Sequence, residues 1–211
     1  KPDTSPTFLE HSDPTDLIQF IKFNNKEEQA RWLADEIKKN LHEEELEPDD
    51  IIVINPDPLY TRNEVGLPRK MLYENGIESH LTGIDMSPDV FFDKSNTSVA
   101  FTGIFRAKGN EAGMVYIMNA DNCAQSFGSL TRVRNQLFTA ITRSKSWVRV
   151  LGVGENMDIL IAEFDKVKAA NFRLDFVYPG EEIRRKLNIV NRDMTTAEKQ
   201  TAMSSIKMLN K

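Results

Sequence analysis

SVAFTGIFRAKGNEAGMVYIMNADNCAQSFGSLTRVRNQLFTAITRSKSWVRVLG, Ser98 to Gly152, is the stretch on which the reading of this chain turns. Ser98 to Gly103 and Met114 to Asn119 read as two strands separated by only IFRAKGNEAG. Val133, Leu137, Ala140 and Ile141 form a helical stripe from about Leu130 to Ser144, and Trp147 to Leu151 is a last strong strand. The polar segments fall at strand or helix ends, where α/β proteins place their chemistry.

Working outward, Ile18 to Phe23 alternates as a first strand. Asn25 with Glu28 makes a capping box for a helix whose apolar positions are Ala30, Leu33, Ala34, Ile37 and Leu41. Ile51 to Asn55 (IIVIN) is almost wholly apolar, as a strand covered on both faces must be. A helix is predicted from about Gly66 to Asn75, a short strand at Ser79 to Thr82, a loop or helical turn with a Phe91-Phe92 anchor over Asp85 to Asn96, and a helix over Glu155 to Ala169. Strands alternating with helices imply an α/β fold with a mostly parallel sheet and helices on both faces, spanning residues 17 to 178. Residues 1 to 16 carry three prolines and predict an extended linker. Residues 179 to 211 predict a helical appendage, with Thr195 and Glu198 opening a helix whose stripe is Ala202, Ile206 and Leu209.

The 211 residues are 40% apolar, enough for a sizeable core. No apolar run approaches the roughly 18 to 20 residues needed to span a bilayer. With no signal-peptide layout either, a soluble, cytoplasmic protein is expected. Cys123 is the single cysteine, and His11, His42 and His80 lack metal-ligand spacing, so no metal site is expected. The net charge of −5 hides an asymmetry. Glu43 to Asp50 is strongly acidic, whereas Asn122 to Gly154 has no acidic residue and holds Arg132, Arg134, Arg143, Lys145 and Arg149. An anion site is expected there.

Within that region, the turn from Arg106 to Glu111 has a glycine that lets backbone approach a ligand and a carboxylate that could accept from a sugar hydroxyl. Taken alone it is equally an ordinary charged connection. Arg132, Gln136, Thr139 and Arg143 are spaced to share one helix face. An arginine ending that row suits phosphate, although a solvated basic face has the same pattern. Trp32, Trp147, Phe91 and Phe92 could serve as base-stacking platforms, but their apolar neighbours favour core packing for most of them. Cys123 has no catalytic partner near it in sequence, and Ser126 and Ser129 lack the context of a nucleophile elbow.

Together the two polar segments are more specific. IFRAKGNEAGMVYI resembles motif V of superfamily 1 helicases of the UvrD-like class, usually HxxKGLEF before an apolar strand. LFTAITRSKSWVRVLG resembles their motif VI, typically YVAxTRA(K) before a strand. IIVINPDP stands where that family has motif IV, and NNKEEQARWLADEI resembles the helix preceding it. The resemblance runs from about Ile18 to Ala170.

What the resemblance implies is a second RecA-like domain, a three-layer sandwich, in an ATP-dependent DNA helicase. ATP with Mg²⁺ would sit between this domain and a first RecA-like domain of the same protein. By motif alignment Arg143 is the catalytic arginine finger, and Gly109 and Glu111 approach the nucleotide. Thr102, Phe105, Arg106, Lys108 and Thr139 match the segments that contact single-stranded DNA. Phe105 replaces a common histidine, Asn110 and Ala112 replace the usual Leu and Phe, and Asn55 to Leu59 holds no motif IV arginine, for which Arg62 or Arg69 could substitute. Because no Walker A sequence occurs in the chain, negligible hydrolysis is expected of it alone. The alternatives are a non-catalytic, degenerate RecA-like module binding nucleic acid or a protein, and a free-standing nucleotide-binding protein; the latter is disfavoured because no Gly-rich loop follows the first strand.

Overall fold

The structure, a computed structural model, describes residues 12–86, 97–125, 129–173, 178, 180 and 181. The Phe91-Phe92 anchor and the helix expected to open at Thr195 lie outside the described residues. The chain divides into two units, Lys1–Asn171 and Phe172–Lys211; the fold and sites below belong to the first.

Asp13 accepts from the Thr15 amide at 2.8 Å and caps a single turn, α1 (Pro14–Leu17). Residues 14–16, read from the sequence as the end of an extended linker, are thus helical, while residues 1–11 lie outside the described residues. Pro14 occupies the start of a helical turn, where its missing N–H costs no hydrogen bond. After β1 (Ile18–Phe23), the predicted capping box opens α2 (Lys26–His42): Asn25 accepts from the Glu28 amide at 2.9 Å, and the Glu28 carboxylate accepts from the Asn24 amide at 3.1 Å. There follow β2 (Ile51–Asn55), a turn α3 (Thr61–Glu64), α4 (Gly66–Glu74), β3 (Ser79–Leu81) and β4 (Val99–Gly103). The chain continues through α5 (Ile104–Ala107), β5 (Ala112–Ile117), α6 (Leu130–Ile141), β6 (Ser144–Val153) and α7 (Gly154–Ala169).

The six strands form one sheet in the order β1-β6-β5-β2-β4-β3, and every pairing is parallel. Alternate residues of each strand serve opposite faces. Ile51, Val53, Phe101 and Tyr116 pack under Leu33 and Ile37 of α2 and Leu72 of α4. Ile52, Ile54, Val115 and Val150 pack under Ile104 and Ala107 of α5, Leu137 and Ala140 of α6, and Leu160 of α7. The result is the expected three-layer α/β arrangement. Trp32 lies at the edge of the first core, its ring 5.7 Å from Phe23 and 6.4 Å from Tyr116, and Trp147 packs on the same core.

β4 and β5 flank β2, so the link between them must cross β2 and return to the opposite end of the sheet. Gly103 is level with Asn55, Met114 is level with Ile51, and β5 begins two residues before Met114, at Ala112. The return is about 20 Å along the strands, at ~3.3 Å per residue. One helical turn rising about 6 Å and four extended residues cover it with little slack. The sequence suggests a mere turn at this point; the parallel register makes it a crossover.

β2 and β5 lie where the connections diverge, α3 and α4 leading one way on one face and α6 the other way on the other. Open α/β sheets often bind ligands at the carboxyl end of such a point. In this domain the protein's own amides cross-link that end of the sheet, and a cavity of about 240 Å³ bordered by Gln29, Glu64 and Asn119 remains beside them. Asn119 is fully buried with φ +53°, in the left-handed region. Its side chain accepts from Gln29 Nε2 at 2.9 Å and donates to Asn55 Oδ1 at 3.2 Å and Glu64 Oε2 at 3.3 Å, while its backbone N–H donates to Gln29 Oε1 at 3.1 Å.

Replacing Asn119 by Ala strands buried amide partners and leaves a β-carbon in the left-handed region. Chemical denaturation should register a loss of about 2 to 4 kcal/mol. A second test uses pH. His80 is 2% exposed; its Nδ1 lies 2.7 Å from Ser98 Oγ and its Nε2 has no hydrogen-bond partner. Burial, reinforced by the Arg69 charge and opposed by Asp85, holds its pKa below the usual value. Below about pH 6.5 the unfolded chain therefore takes up a proton that the folded chain resists. Stability should fall as pH drops from 6.5 to 5.5, and His80→Gln should flatten that limb of the pH profile.

Candidate nucleotide and nucleic-acid interface

The β5–β6 register sets the first cluster. The Ala112 amide donates to the Arg143 carbonyl at 3.1 Å, and Ala112 is paired with Ser144. Glu111 and Arg143, thirty-odd residues apart in sequence, are thereby neighbours at the amino-terminal edge of adjacent strands. Gly109 precedes them with φ +96°, and no atom lies within 4 Å of where its β-carbon would stand. Its loop has room for an approaching ligand, and Glu111 is exposed beside it.

Arg143 was expected within the helix, but α6 ends at Ile141. The guanidinium folds back over that end, with Nε donating to Thr139 O at 3.1 Å and Nη2 to Thr142 Oγ1 at 3.3 Å. Helix-terminal carbonyls commonly find such donors. Both acceptors are neutral, so an anion offering charge-assisted bonds can displace them.

The second cluster is a groove of about 460 Å³ between α5 and α6. Phe105 and Lys108 form one side, and Arg132, Asn135, Gln136 and Thr139 the other. Ile104 and Ala107 are buried under the crossover, which turns Phe105 outward to 69% exposure. Ser129 starts the opposite wall, its hydroxyl accepting from the Arg132 amide at 3.3 Å. Thr139 already spends its own hydroxyl on Asn135 O at 2.7 Å.

Phe105, Lys108 and Thr139 thus come together as the sequence suggests, and two residues named with them do not. Thr102 is fully buried, its hydroxyl donating to Gly103 O at 3.3 Å. It cannot touch a nucleic acid from there, because it points from β4 into the packed side of the sheet. Arg106 turns away towards Gly83: its Nε lies 2.5 Å from where a Gly83 β-carbon would stand. Asn135 was missed, although its place one turn from Arg132 and Thr139 could have marked it as groove-facing.

The basic stretch also divides. Arg149 is 8% exposed and donates to Asp16 O at 2.6 Å and Asp16 Oδ1 at 3.2 Å. Arg134 donates to Cys123 O and to Glu163 Oε1 at 2.6 Å. Arg69, a possible substitute for the motif IV arginine, is held by Asp85 at 2.7 Å and Ser79 O at 3.0 Å. Arg132, Arg143, Lys145 and Lys108 have no acidic partner among the described residues. Cys123 is buried, which pushes its thiol up to about 12 and leaves it unreactive.

The two clusters are joined by a single stretch of chain, and that stretch is recognisable. Residues 98–151 match the family model of the UvrD-like helicase C-terminal domain. The matched segment covers β4 through most of β6, including Gly109, Glu111, Arg143 and the groove residues named above. Among solved structures, the C-terminal domain of a possible DNA helicase from Lactobacillus plantarum WCFS1 is similar, with 19% identity over 67% of this chain and 79% of that one and a TM-score of 0.49. No curated protein matches. Among the described residues, no helix is long and apolar enough to cross a membrane.

The packing of Arg106 on Gly83 can be checked by substitution. Gly83 has φ +76°, so Gly83→Ala combines backbone strain with a clash against Arg106. Thermal or denaturant unfolding should show a loss of about 1 to 3 kcal/mol. Gly66→Ala, in open space at the start of α4, should cost nothing measurable.

Proposed function

We propose that the chain is the second motor domain of an ATP-dependent superfamily 1 DNA helicase. It would complete, with a first RecA-like domain, a nucleotide site that neither domain holds alone. The observation that carries this reading is the backbone hydrogen bond from Ala112 to Arg143, which brings the chain at Glu111 and the chain at Arg143 to adjacent strand starts beside an open glycine loop. One group suits a ribose hydroxyl and the other a phosphate.

ATP bound between the domains would supply the scissile phosphoanhydride. Glu111 would accept from the ribose, with Gly109 allowing the close approach. Arg143 would exchange Thr139 O and Thr142 Oγ1 for phosphoryl oxygens and neutralise the charge that builds on them. The phosphate cradle and the carboxylates for Mg²⁺ are assigned to the first domain. Single-stranded DNA would lie along α5 and α6, with Lys108 and Arg132 at its phosphates. The crossover links both sites: one end carries Phe105 and the other Glu111, so closure on nucleotide would shift the grip on the strand.

Arg143→Ala in the intact protein should cut ATP turnover by roughly 10³ to 10⁵ while leaving nucleotide affinity largely unchanged. Turnover at the wild-type rate in that variant would remove the helicase reading and leave a non-catalytic module. The 211-residue chain alone should hydrolyse no ATP above background.

A further inference from the structure

We propose that Arg149 is a positioning residue that anchors α1, and with α1 the direction in which the chain enters this domain. This rests on the reading that a first motor domain, joined through the chain ahead of α1, works with this one. It goes beyond that reading: the tether between the two motors would be clamped to β6 rather than left to swing.

Arg149 is a costly residue where it stands. It is 8% exposed on β6, level with Gln19 of β1 and Tyr116 of β5, and its neighbours Val148, Val150 and Leu151 are 4%, 0% and 0% exposed. Withdrawing a guanidinium from water carries a large penalty, and a well-packed apolar side chain often serves stability as well or better. What the charge does is visible in its bonds. Besides the adjacent Val148 carbonyl at 3.3 Å, its one acceptor residue among the described residues is Asp16, 133 residues away, with the carbonyl at 2.6 Å and the carboxylate at 3.2 Å.

Asp16 belongs to α1, a four-residue turn with no buried residue of its own. Apolar packing therefore does little to hold α1, and the work falls to the Asp13 cap and to Arg149. A two-pronged guanidinium fixes direction as well as distance. Its root matters too. Arg143 immediately precedes β6 and Arg149 lies within it, so a pull on α1 is passed to the strand that presents Arg143. Tether and phosphate-facing arginine would then move as one piece when the cleft closes.

The test pairs two variants that free α1 by different routes. Arg149→Met removes the fork and keeps an apolar stem, whereas Asp13→Ala removes the cap and leaves Arg149 untouched. In the 211-residue chain, both should speed hydrogen exchange at the Leu17 and Ile18 amides, which bond to Asp13 O and Pro14 O. The expected gain is roughly tenfold, with the amides of β5 at wild-type rates. Unchanged exchange in Arg149→Met overturns the anchor. In the intact protein the readout is base pairs opened per ATP hydrolysed, a ratio that unfolded molecules do not alter because they add to neither count. Both variants should lower it about fivefold or more. Should Arg149→Met fold poorly, Asp13→Ala, at an exposed position, carries this arm alone. A wild-type ratio in a folded variant whose α1 is freed overturns the proposal and spares the motor reading. Wild-type protein that hydrolyses no ATP with single-stranded DNA present ends both.

Discussion

The link from β4 to β5 must descend about 20 Å and pass over β2 in residues 104–111. That constraint governs both sites. With so few residues no more than about one helical turn fits, and α5 packs on the sheet through its buried residues. Ile104 and Ala107 therefore go into the core, while Phe105, Arg106 and Lys108 are left outside. The end of the same link delivers Glu111 to the edge where β6 begins, and the Ala112 to Arg143 hydrogen bond fixes the result. A longer connection would leave the spacing between groove and carboxylate adjustable. This one does not.

The amide network at the carboxyl ends of β2 and β5 completes the division of labour. Gln29, Asn55, Glu64 and Asn119 satisfy one another where an open sheet could have held a ligand. They tie α2, α3 and the two central strands into a rigid block. Lys108, Arg132 and Lys145, which have no acidic partner among the described residues, stand instead on the α5–α6 link, α6 and the start of β6. Arg143 shares this character, since its bonds are to neutral oxygens near a helix end and exchange readily.

Much of this was legible in the sequence because it depends on local pattern. The apolar run Ile51 to Asn55 means a strand covered on both faces, Asn25 with Glu28 means a helix start, and the stripe through Leu137 and Ala140 means a buried helix face. The paired segments around Lys108-Gly109 and Thr142-Arg143 carried the family resemblance in the same way. The side-chain assignments within those segments were less legible. Thr102 and Arg106 sit in the right stretch, but one faces the core and the other is drawn to Gly83. Arg149 and Arg134 read as free cations until Asp16 and Glu163, distant in sequence, are brought beside them.

The sequence by itself determined the strands and the longer helices α2, α4, α6 and α7, because periodicity and composition act over a few residues. Only the tertiary structure decided that IFRAKGNEAG is a crossover rather than a turn, that Glu111 meets Arg143, and that Phe105 faces Asn135 and Gln136. Those outcomes follow from which strands pair and in what register, and a parallel register is set by long-range packing on both faces of the sheet.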